Sequence, residues 1–219
     1  MEKNKKFFSS WSGGKDSCLA FFKAKKLGYS PKYLFTAFDS DGKSTRAHGL
    51  GEDIVREQAK QLSLELYIAN AGWGRYEEKL LEFMRKAKED GVDYGVFGDI
   101  DLASHREWLE RVCEKACIIP IFPLWGMKRI DVVKEFIDLG FKAKIAAYKN
   151  EYDLKDYVNT NLDNNIIDEF IKMGIDPAGE NGEYHTIVYA GPIFKKDLDI
   201  EREKFIINDK NTIVKYKLK

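Results

Sequence analysis

The chain has 219 residues, and because its 36 Lys and Arg balance its 36 Asp and Glu, its formal net charge is zero. A neutral average argues against a nucleic-acid partner, since binding to a phosphate backbone depends on excess positive charge. Hydrophobic residues make up 44% of the sequence, and no run approaches the ~18 apolar residues of a membrane span. We therefore expect a folded, cytoplasmic protein with no membrane partner.

Cysteine usage agrees with that compartment. Cys18, Cys113 and Cys117 are an odd number, and we expect no export signal, so reduced thiols are favoured over a disulfide framework. Cys113 and Cys117 have a spacing that suits one face of a helix. We expect them to pack in the core, because free cysteine behaves as a small buried hydrophobe. They lack the second ligand pair that a zinc site would need.

The first strong pattern is an apolar run through Phe7, Phe8 and Trp11 that ends at Gly13 and Gly14. The run is typical of a buried strand, and the glycines permit positive φ and close approach of a ligand to the backbone. Apolar residues at helical spacing follow at once. The turn therefore leads into a helix N-terminus, where N–H groups and the helix dipole favour an anion. We expect a phosphate-binding loop; an ordinary strand–helix turn is the alternative.

The loop itself reads Ser12-Gly13-Gly14-Lys15-Asp16-Ser17. Lys15 adds a full positive charge, Ser12 and Ser17 add hydroxyl donors, and Asp16 offers an oxygen ligand for Mg²⁺. The sequence contains neither a Walker A motif at this turn nor the G-x-G-x-x-G fingerprint of dinucleotide folds. The hexapeptide instead resembles the SGGKDS loop of the N-type ATP pyrophosphatases, which cleave ATP between the α- and β-phosphates.

Strands and helices are predicted to alternate over the first half of the chain. The further strands are predicted at 33–38, 64–69, 92–97 and 118–123, and the helices at 51–62, 76–88 and about 104–115. This alternation predicts a parallel sheet with right-handed crossovers and helices on both faces. Ligands bind such sheets beyond the carboxyl ends of the strands, which is where Ser12–Ser17, His48 and Gly98-Asp99 fall.

The pattern changes after Trp125, and we predict two domains, residues 1–125 and 126–219. The second half predicts helices at about 130–139 and 162–173, strands at 141–147 and 184–189, and a hairpin through 205–207 and 213–218. These elements indicate a smaller α+β domain.

A second unusual stretch reads Gly179-Glu180-Asn181-Gly182-Glu183-Tyr184-His185-Thr186 and is followed by Gly191-Pro192. Two glycines flank and interrupt two carboxylates directly before a strand, so the acids lie on a tight turn. Such a turn can hold an ammonium ion or position a proton acceptor. A polar turn with solvated acids is the alternative.

Together with His48-Gly49, Gly98-Asp99-Ile100 and Pro123-Leu124-Trp125, these two stretches resemble the diphthine–ammonia ligase (diphthamide synthase) family of ATP pyrophosphatases. The resemblance extends to about Phe194. It implies a HUP-type (Rossmann-like) parallel-sheet domain followed by a smaller substrate domain with an E-G-G-E-[FY]-E-T turn. It also implies a reaction in which ATP activates a carboxylate of a modified histidine on elongation factor 2, and ammonia then displaces AMP.

The chain departs from that turn at Asn181, where the family usually has glycine, and at His185, where it has glutamate. The nucleotide loop is intact. The expected ATP chemistry therefore stands, whereas the acceptor is either the modified histidine or a different, smaller carboxylate.

The site residues expected from these arguments fall into two groups. The nucleotide site is expected to comprise Ser12, Gly13, Gly14, Lys15, Asp16, Ser17, Phe38, His48, Gly98 and Asp99, and the acceptor site Glu180, Asn181, Gly182, Glu183, His185 and Thr186. Lys15, Asp16 and Glu183 are the expected catalytic residues. Lys15 would neutralise the departing pyrophosphate, and Asp16 would hold Mg²⁺. Glu183 would orient ammonia or accept its proton.

Adenine is expected against the backbone of Thr36–Phe38, and free ammonium is the expected nitrogen source. Two other functions stay open on the sequence. One is a tRNA-modifying enzyme of the same superfamily, for which Cys113 and Cys117 are the available thiols. The other is a nucleotide-binding sensor that does not turn ATP over.

Overall fold

The computed structural model describes residues 5–39, 42, 44, 45, 48–71 and 73–219. The polar stretch from Asp39 to Gly49 indicates a loop, and its residues 40, 41, 43, 46 and 47 lie outside that description. Internal contacts divide the chain into two compact units. Unit 1 comprises Met1–Ser12, Asp16–Lys43 and Ser63–Met127, and unit 2 comprises Gly13–Lys15, Ser44–Leu62 and Lys128–Lys219.

Unit 1 is built on a five-stranded parallel sheet with the strand order β3-β2-β1-β4-β5. Its strands are β1 (Lys6–Ser10), β2 (Ser30–Phe38), β3 (Glu65–Asn70), β4 (Tyr94–Val96) and β5 (Ile119–Ile121). The helices of the chain are α1 (Lys15–Lys26), α2 (Glu52–Leu62), α3 (Tyr76–Glu89), α4 (Ala103–Lys115), α5 (Arg129–Asp138) and α6 (Asn164–Lys172). Of these, α3, α4 and all of α1 except its first residue belong to unit 1.

The core of unit 1 is rich in aromatic side chains. The ring of Phe83 on α3 lies 5.1 Å from that of Phe8 on β1, edge to face, and 4.9 Å from that of Phe35 on β2. Phe7 and Phe8 are both fully buried although they point to opposite sides of β1. A parallel strand covered on both sides reads as a continuous apolar run, which is why the sequence indicates β1 clearly.

Unit 2 contains a four-stranded antiparallel sheet with the order β7-β6-β9-β8. Its strands are β6 (Lys142–Lys149), β7 (Tyr184–Ala190), β8 (Ile200–Ile207) and β9 (Asn211–Leu218), and α2, α5 and α6 belong to the same unit. Tyr148 near the end of β6 pairs with Tyr184 at the start of β7. Residues 179–183, which we call the acidic turn, directly precede Tyr184 and therefore lie beside the end of β6.

The predicted α/β fold, a parallel sheet with helices followed by a separate α+β part, is confirmed. Element ends differ by a few residues. The largest difference is β8, which begins at Ile200 and not at 205. β2 begins at Ser30 because Ser30 and Pro31 already pair with Lys6 and Phe7. Proline is tolerated in the first positions of a strand, where a lost N–H donor matters least. None of the helices over the described residues combines the length and apolarity of a membrane span.

The expectation for the cysteines is right for Cys113 and wrong for Cys117. Cys113, on α4, is fully buried. Cys117 is exposed, because α4 ends at Lys115 and Cys117 takes a left-handed conformation (φ +54°) that removes it from the helix face.

Candidate functional site

In unit 1, the two serines at the ends of the glycine-rich loop meet. The hydroxyl of Ser12 donates to that of Ser17 at 3.1 Å. Gly98, directly after the end of β4, packs against the backbone between them. A Cβ at Gly98 would lie 3.0 Å from the carbonyl carbon of Asp16 and from the backbone nitrogen of Ser17. The structure therefore brings Gly98 to the first turn of α1.

Asp99 is bound to a residue that the sequence argument left out. Its carboxylate accepts a hydrogen bond from Nδ1 of His105, whose ring stacks on Trp108 with centroids 5.4 Å apart. Among the residues that the structure describes, no group of three His, Cys, Asp or Glu side chains could hold a metal ion. Mg²⁺ in nucleotide sites is held by one or two carboxylates together with phosphate oxygens. The Asp16 carboxylate, in the first turn of α1, fits that donor set.

The middle of the loop, Gly13–Lys15, is hydrogen-bonded to β7. The N–H of Val188 donates to the carbonyl of Gly13 at 2.9 Å, and the N–H of Lys15 donates to Oγ1 of Thr186 at 3.0 Å. The buried amide of Gln58 on α2 donates to the carbonyls of both Gly13 and Val188, at 3.1 and 2.7 Å. Sequence reasoning missed Gln58. The available signal was an amide beside Val55 and Ala59 on the apolar face of α2.

Both loop glycines are required by close packing. Gly13 has φ +82°, and a Cβ there would lie 2.6 Å from Cδ1 of Leu50. A side chain at Gly14 would overlap the ring of His48 and lie 3.1 Å from the carbonyl oxygen of Thr186. Glycine is the residue that allows the backbone to approach both neighbours.

Two histidines lie side by side next to this loop. Nδ1 of His48 donates to the carbonyl of Thr186 at 2.7 Å, since a carbonyl can only accept. The ring of His185 lies 4.8 Å from that of His48. Burial first, and then the charges of His48, Lys15 and Lys149, lower the pKa of His185 from 6.5 to about 3. His185 is therefore a neutral imidazole at physiological pH.

The side chain of Lys15 is buried beside the acidic turn, with 4% of its surface exposed. Its ammonium group donates to the carbonyl of Ala178 and lies 5.5 Å from the ring centroid of Tyr184. Lys15 and the turn that contains Glu183 therefore belong to one set of contacts in unit 2.

Glu183 is buried, with 3% of its surface exposed. The alternative prediction, a polar turn with solvated acids, is therefore wrong for Glu183. Asn181 donates to both oxygens of its carboxylate, from the backbone N–H to Oε2 and from the side-chain amide to Oε1, each at 3.0 Å. The backbone N–H of Glu180 donates to Asp176 at 3.1 Å. Asp176 is a further residue that the sequence argument missed.

In the region predicted to hold adenine, Thr36 and Phe38 make hydrogen bonds within unit 1. The hydroxyl of Thr36 donates to the carbonyl of Trp11 at 2.7 Å, and the carbonyl of Phe38 accepts from the N–H of Ala71 at 3.2 Å. Phe38 is fully buried. The adenine position stays a prediction.

Two family models match this chain in succession. The model described as "Diphthamide synthase N-terminal domain" matches residues 5–120, and that described as "Diphthamide synthase C-terminal domain" matches residues 128–218. The chain belongs to the diphthamide synthase family. The resemblance carried by the glycine-rich loop and the acidic turn is thereby confirmed.

Curated relatives of the family are similar over most of the chain. A diphthine–ammonia ligase from Schizosaccharomyces pombe is 24% identical over 95% of this chain, which spans 38% of that protein's length. The diphthine–ammonia ligases of Homo sapiens and Rattus norvegicus are 24% and 25% identical over 90% of this chain and 83% of their own.

A solved structure described as a predicted subunit of tRNA methyltransferase from Methanocaldococcus jannaschii covers 88% of this chain and 100% of its own, with a TM-score of 0.45 and 18% identity.

Proposed function

We propose that this diphthamide synthase family member is an ATP-dependent ligase that adenylates a carboxylate and forms an amide with ammonia, releasing AMP and pyrophosphate. The observation that carries the proposal is the hydrogen bond from the N–H of Lys15 to Thr186. It joins the lysine of the SGGKDS loop to the strand that follows the acidic turn. The names of the relatives, diphthine–ammonia ligases, support the same reaction class.

The roles proposed for the loop follow from its position at the start of α1. The first turn of a helix favours a phosphate group through its N–H groups and its dipole. The Lys15 ammonium group, which donates a hydrogen bond to the carbonyl of Ala178, neutralises the charge that develops on the departing pyrophosphate. The cleaved bond is then the one between the α- and β-phosphates.

Magnesium, if bound with ATP, would supply further charge neutralisation at the phosphates. Asp16 is the residue that would hold it, because its carboxylate lies in the first turn of α1. Gly98 has a steric role in this proposal. Its missing side chain leaves the first turn of α1 undisturbed next to Asp16 and Ser17.

Glu183 is proposed to act on the nitrogen nucleophile. Its carboxylate is buried and accepts one hydrogen bond at each oxygen from Asn181. A carboxylate has about four lone-pair sites, so each oxygen retains capacity to accept from ammonia or ammonium. Holding ammonia in place and accepting its proton as the amide forms is general-base catalysis. The acceptor is a carboxylate, either on a modified histidine of elongation factor 2 or on a smaller molecule.

The experiment follows the label of γ-³²P-ATP. The protein is incubated with ammonium chloride and, one at a time, elongation factor 2 bearing the modified histidine and a panel of small carboxylates. We expect label in pyrophosphate and equimolar AMP, dependent on both the acceptor and ammonium, with ¹⁵N from ¹⁵N-ammonium in the product. Label in free phosphate together with ADP would contradict the proposal. Pyrophosphatase contamination is checked with added pyrophosphate.

The same assay tests the sensor function, and the cysteines bear on the tRNA-modifying function. A sensor releases no acceptor-dependent pyrophosphate. A thiol-dependent tRNA modifier needs a reactive cysteine, but burial, followed by the charge of Glu110, raises the pKa of Cys113 to about 12. Since Cys117 is exposed and off the helix face, the two thiols do not form the pair that such chemistry would use.

A further inference from the structure

Asn181 supplies hydrogen bonds to both oxygens of the buried carboxylate of Glu183. The backbone N–H of Asn181 reaches Oε2 and its side-chain amide reaches Oε1, each at 3.0 Å. A buried carboxyl group is costly without hydrogen-bond partners, so these bonds hold the Glu183 side chain in its place. Asn181 itself is exposed, so it lies on the solvent side of the carboxylate.

The neighbours of Asn181 fix which way its amide points. Its Oδ1 faces Nη1 of Arg129 at 3.5 Å, and its Nδ2 faces Glu183. A guanidinium can only donate and a carboxylate can only accept. Asparagine satisfies both neighbours because it has one acceptor and one donor group at the same distance from the backbone. Aspartate would place an acceptor against Glu183, and glycine would leave Oε1 without this donor.

The backbone of the turn is held on both sides of Asn181. Arg129 pairs with Asp176 at 2.6 Å, and Asp176 accepts from the N–H groups of Ala178 and Glu180 at 2.9 and 3.1 Å. On the other side, the ammonium group of Lys149 donates to the carbonyl of Asn181 at 2.8 Å. These contacts hold the backbone on both sides of Asn181, and this fixes the point from which its side-chain amide reaches Glu183.

We propose that Asn181 is a positioning residue that holds the Glu183 carboxylate for the nitrogen nucleophile and thereby sets the affinity of the enzyme for ammonium. The inference rests on the proposed function. It identifies a role for the residue at which this chain departs from the glycine of the family's turn. The remaining lone pairs of Glu183 then point in directions that the Asn181 bonds define.

The kinetic test uses Asn181→Gly, Asn181→Asp and the matched control Asn165→Asp, the same chemical change at an exposed position on α6. Ammonium chloride is titrated in the pyrophosphate-release assay with the acceptor that the panel identifies. Loss of a hydrogen bond to a charged group predicts a KM for ammonium about 10- to 100-fold higher in both Asn181 variants. The KM for ATP stays within about twofold, as in the control. Unchanged ammonium KM values in both variants would overturn the inference.

A second test needs no turnover. A water-soluble carbodiimide with glycine ethyl ester labels accessible carboxyl groups, and peptide mass spectrometry follows the Glu183 peptide. We expect Glu183 to resist labelling in the wild type and in Asn165→Asp, and to be labelled about 10-fold faster in Asn181→Gly and Asn181→Ala. Equal rates would overturn the inference. If the wild type releases no pyrophosphate with any acceptor, the proposed function fails, while the labelling rates still decide whether Asn181 holds Glu183.

Discussion

The backbone N–H of Lys15 donates to the hydroxyl oxygen of Thr186 at 3.0 Å, across 171 positions of the chain. The carbonyl of Thr186 accepts from Nδ1 of His48 at 2.7 Å. One residue of β7 thus contacts both the first residue of α1 and the histidine that follows the second strand. Residues 13–15 of the glycine-rich loop are hydrogen-bonded to β7, so changes at Thr186 should alter the proposed nucleotide site.

Thr186→Val tests that contact. Valine keeps the shape of threonine but removes the acceptor, leaving the N–H of Lys15 without its partner in a site that is 1% exposed. An orphaned buried donor costs about 1–3 kcal/mol. We expect the free energy of unfolding, measured in urea, to fall by that amount and ATP affinity to fall with it.

Two further variants serve as controls for Thr186→Val. Thr186→Ser keeps the hydroxyl and should retain most of the stability. Thr160→Val makes the same change at an exposed threonine whose hydroxyl donates to the Tyr157 carbonyl. If Thr186→Val costs no more than Thr160→Val, the contact with Lys15 does not support the loop.

Local patterns were sufficient to predict the scaffold of this site. The apolar run of β1, the two glycines and the helical spacing after Lys15 all act within about one turn or strand, where sequence periodicity is informative. The hairpin of β8 and β9 was predicted for the same reason, because Val214 and Tyr216 alternate with lysines.

The contacts that build the site could not be predicted in this way. The amide of Gln58 meets the carbonyl of Val188 across 130 positions, and no local pattern encodes which distant backbone group a buried amide will reach. The burial of Glu183 has the same origin. Its sequence context, between glycines and polar residues, is that of a solvated turn, and only the folded turn brings the donors of Asn181 to it.

Lys15→Met tests the proposed phosphate contact. Methionine keeps most of the apolar stem but removes the ammonium group, which lies 5.5 Å from the ring centroid of Tyr184. A ligand at a hundred times its Kd stabilises a protein by about 2.7 kcal/mol, so ATP with Mg²⁺ should raise the melting temperature of the wild type. We expect most of that shift to disappear in Lys15→Met and to persist in Lys26→Met, at the other end of α1. A full ATP-induced shift in Lys15→Met would remove the lysine from the nucleotide site.

Gly98→Ala tests the proximity of β4 to the loop. The new Cβ would lie 3.0 Å from backbone atoms of Asp16 and Ser17, which cannot rotate away as a side chain could. Overpacking of this kind costs about 1–3 kcal/mol, and here it displaces the first turn of α1. We expect weaker ATP binding by calorimetry. Gly74→Ala is the control, because a Cβ there meets no atom within 4 Å. Equal ATP affinities in the two variants would show that the first turn of α1 tolerates the change.

The pH dependence of stability tests the burial of His185. Its pKa is lowered from 6.5 to about 3 by burial and then by the charges of His48, Lys15 and Lys149, so the native state stays neutral where the unfolded chain takes up a proton. Above pH 6.5 both states are neutral at this residue and its contribution is constant. As the pH falls below 6.5, the unfolded state binds more protons than the native state, and stability is lost by up to about 1.4 kcal/mol per pH unit.

His185→Gln removes this titration but keeps a polar side chain. The difference in unfolding free energy between wild type and His185→Gln should therefore be constant above pH 6.5 and shift against the wild type below it. Parallel profiles for the two proteins through that range would mean that His185 is protonated in the native state and that the site is more open to water than the structure indicates.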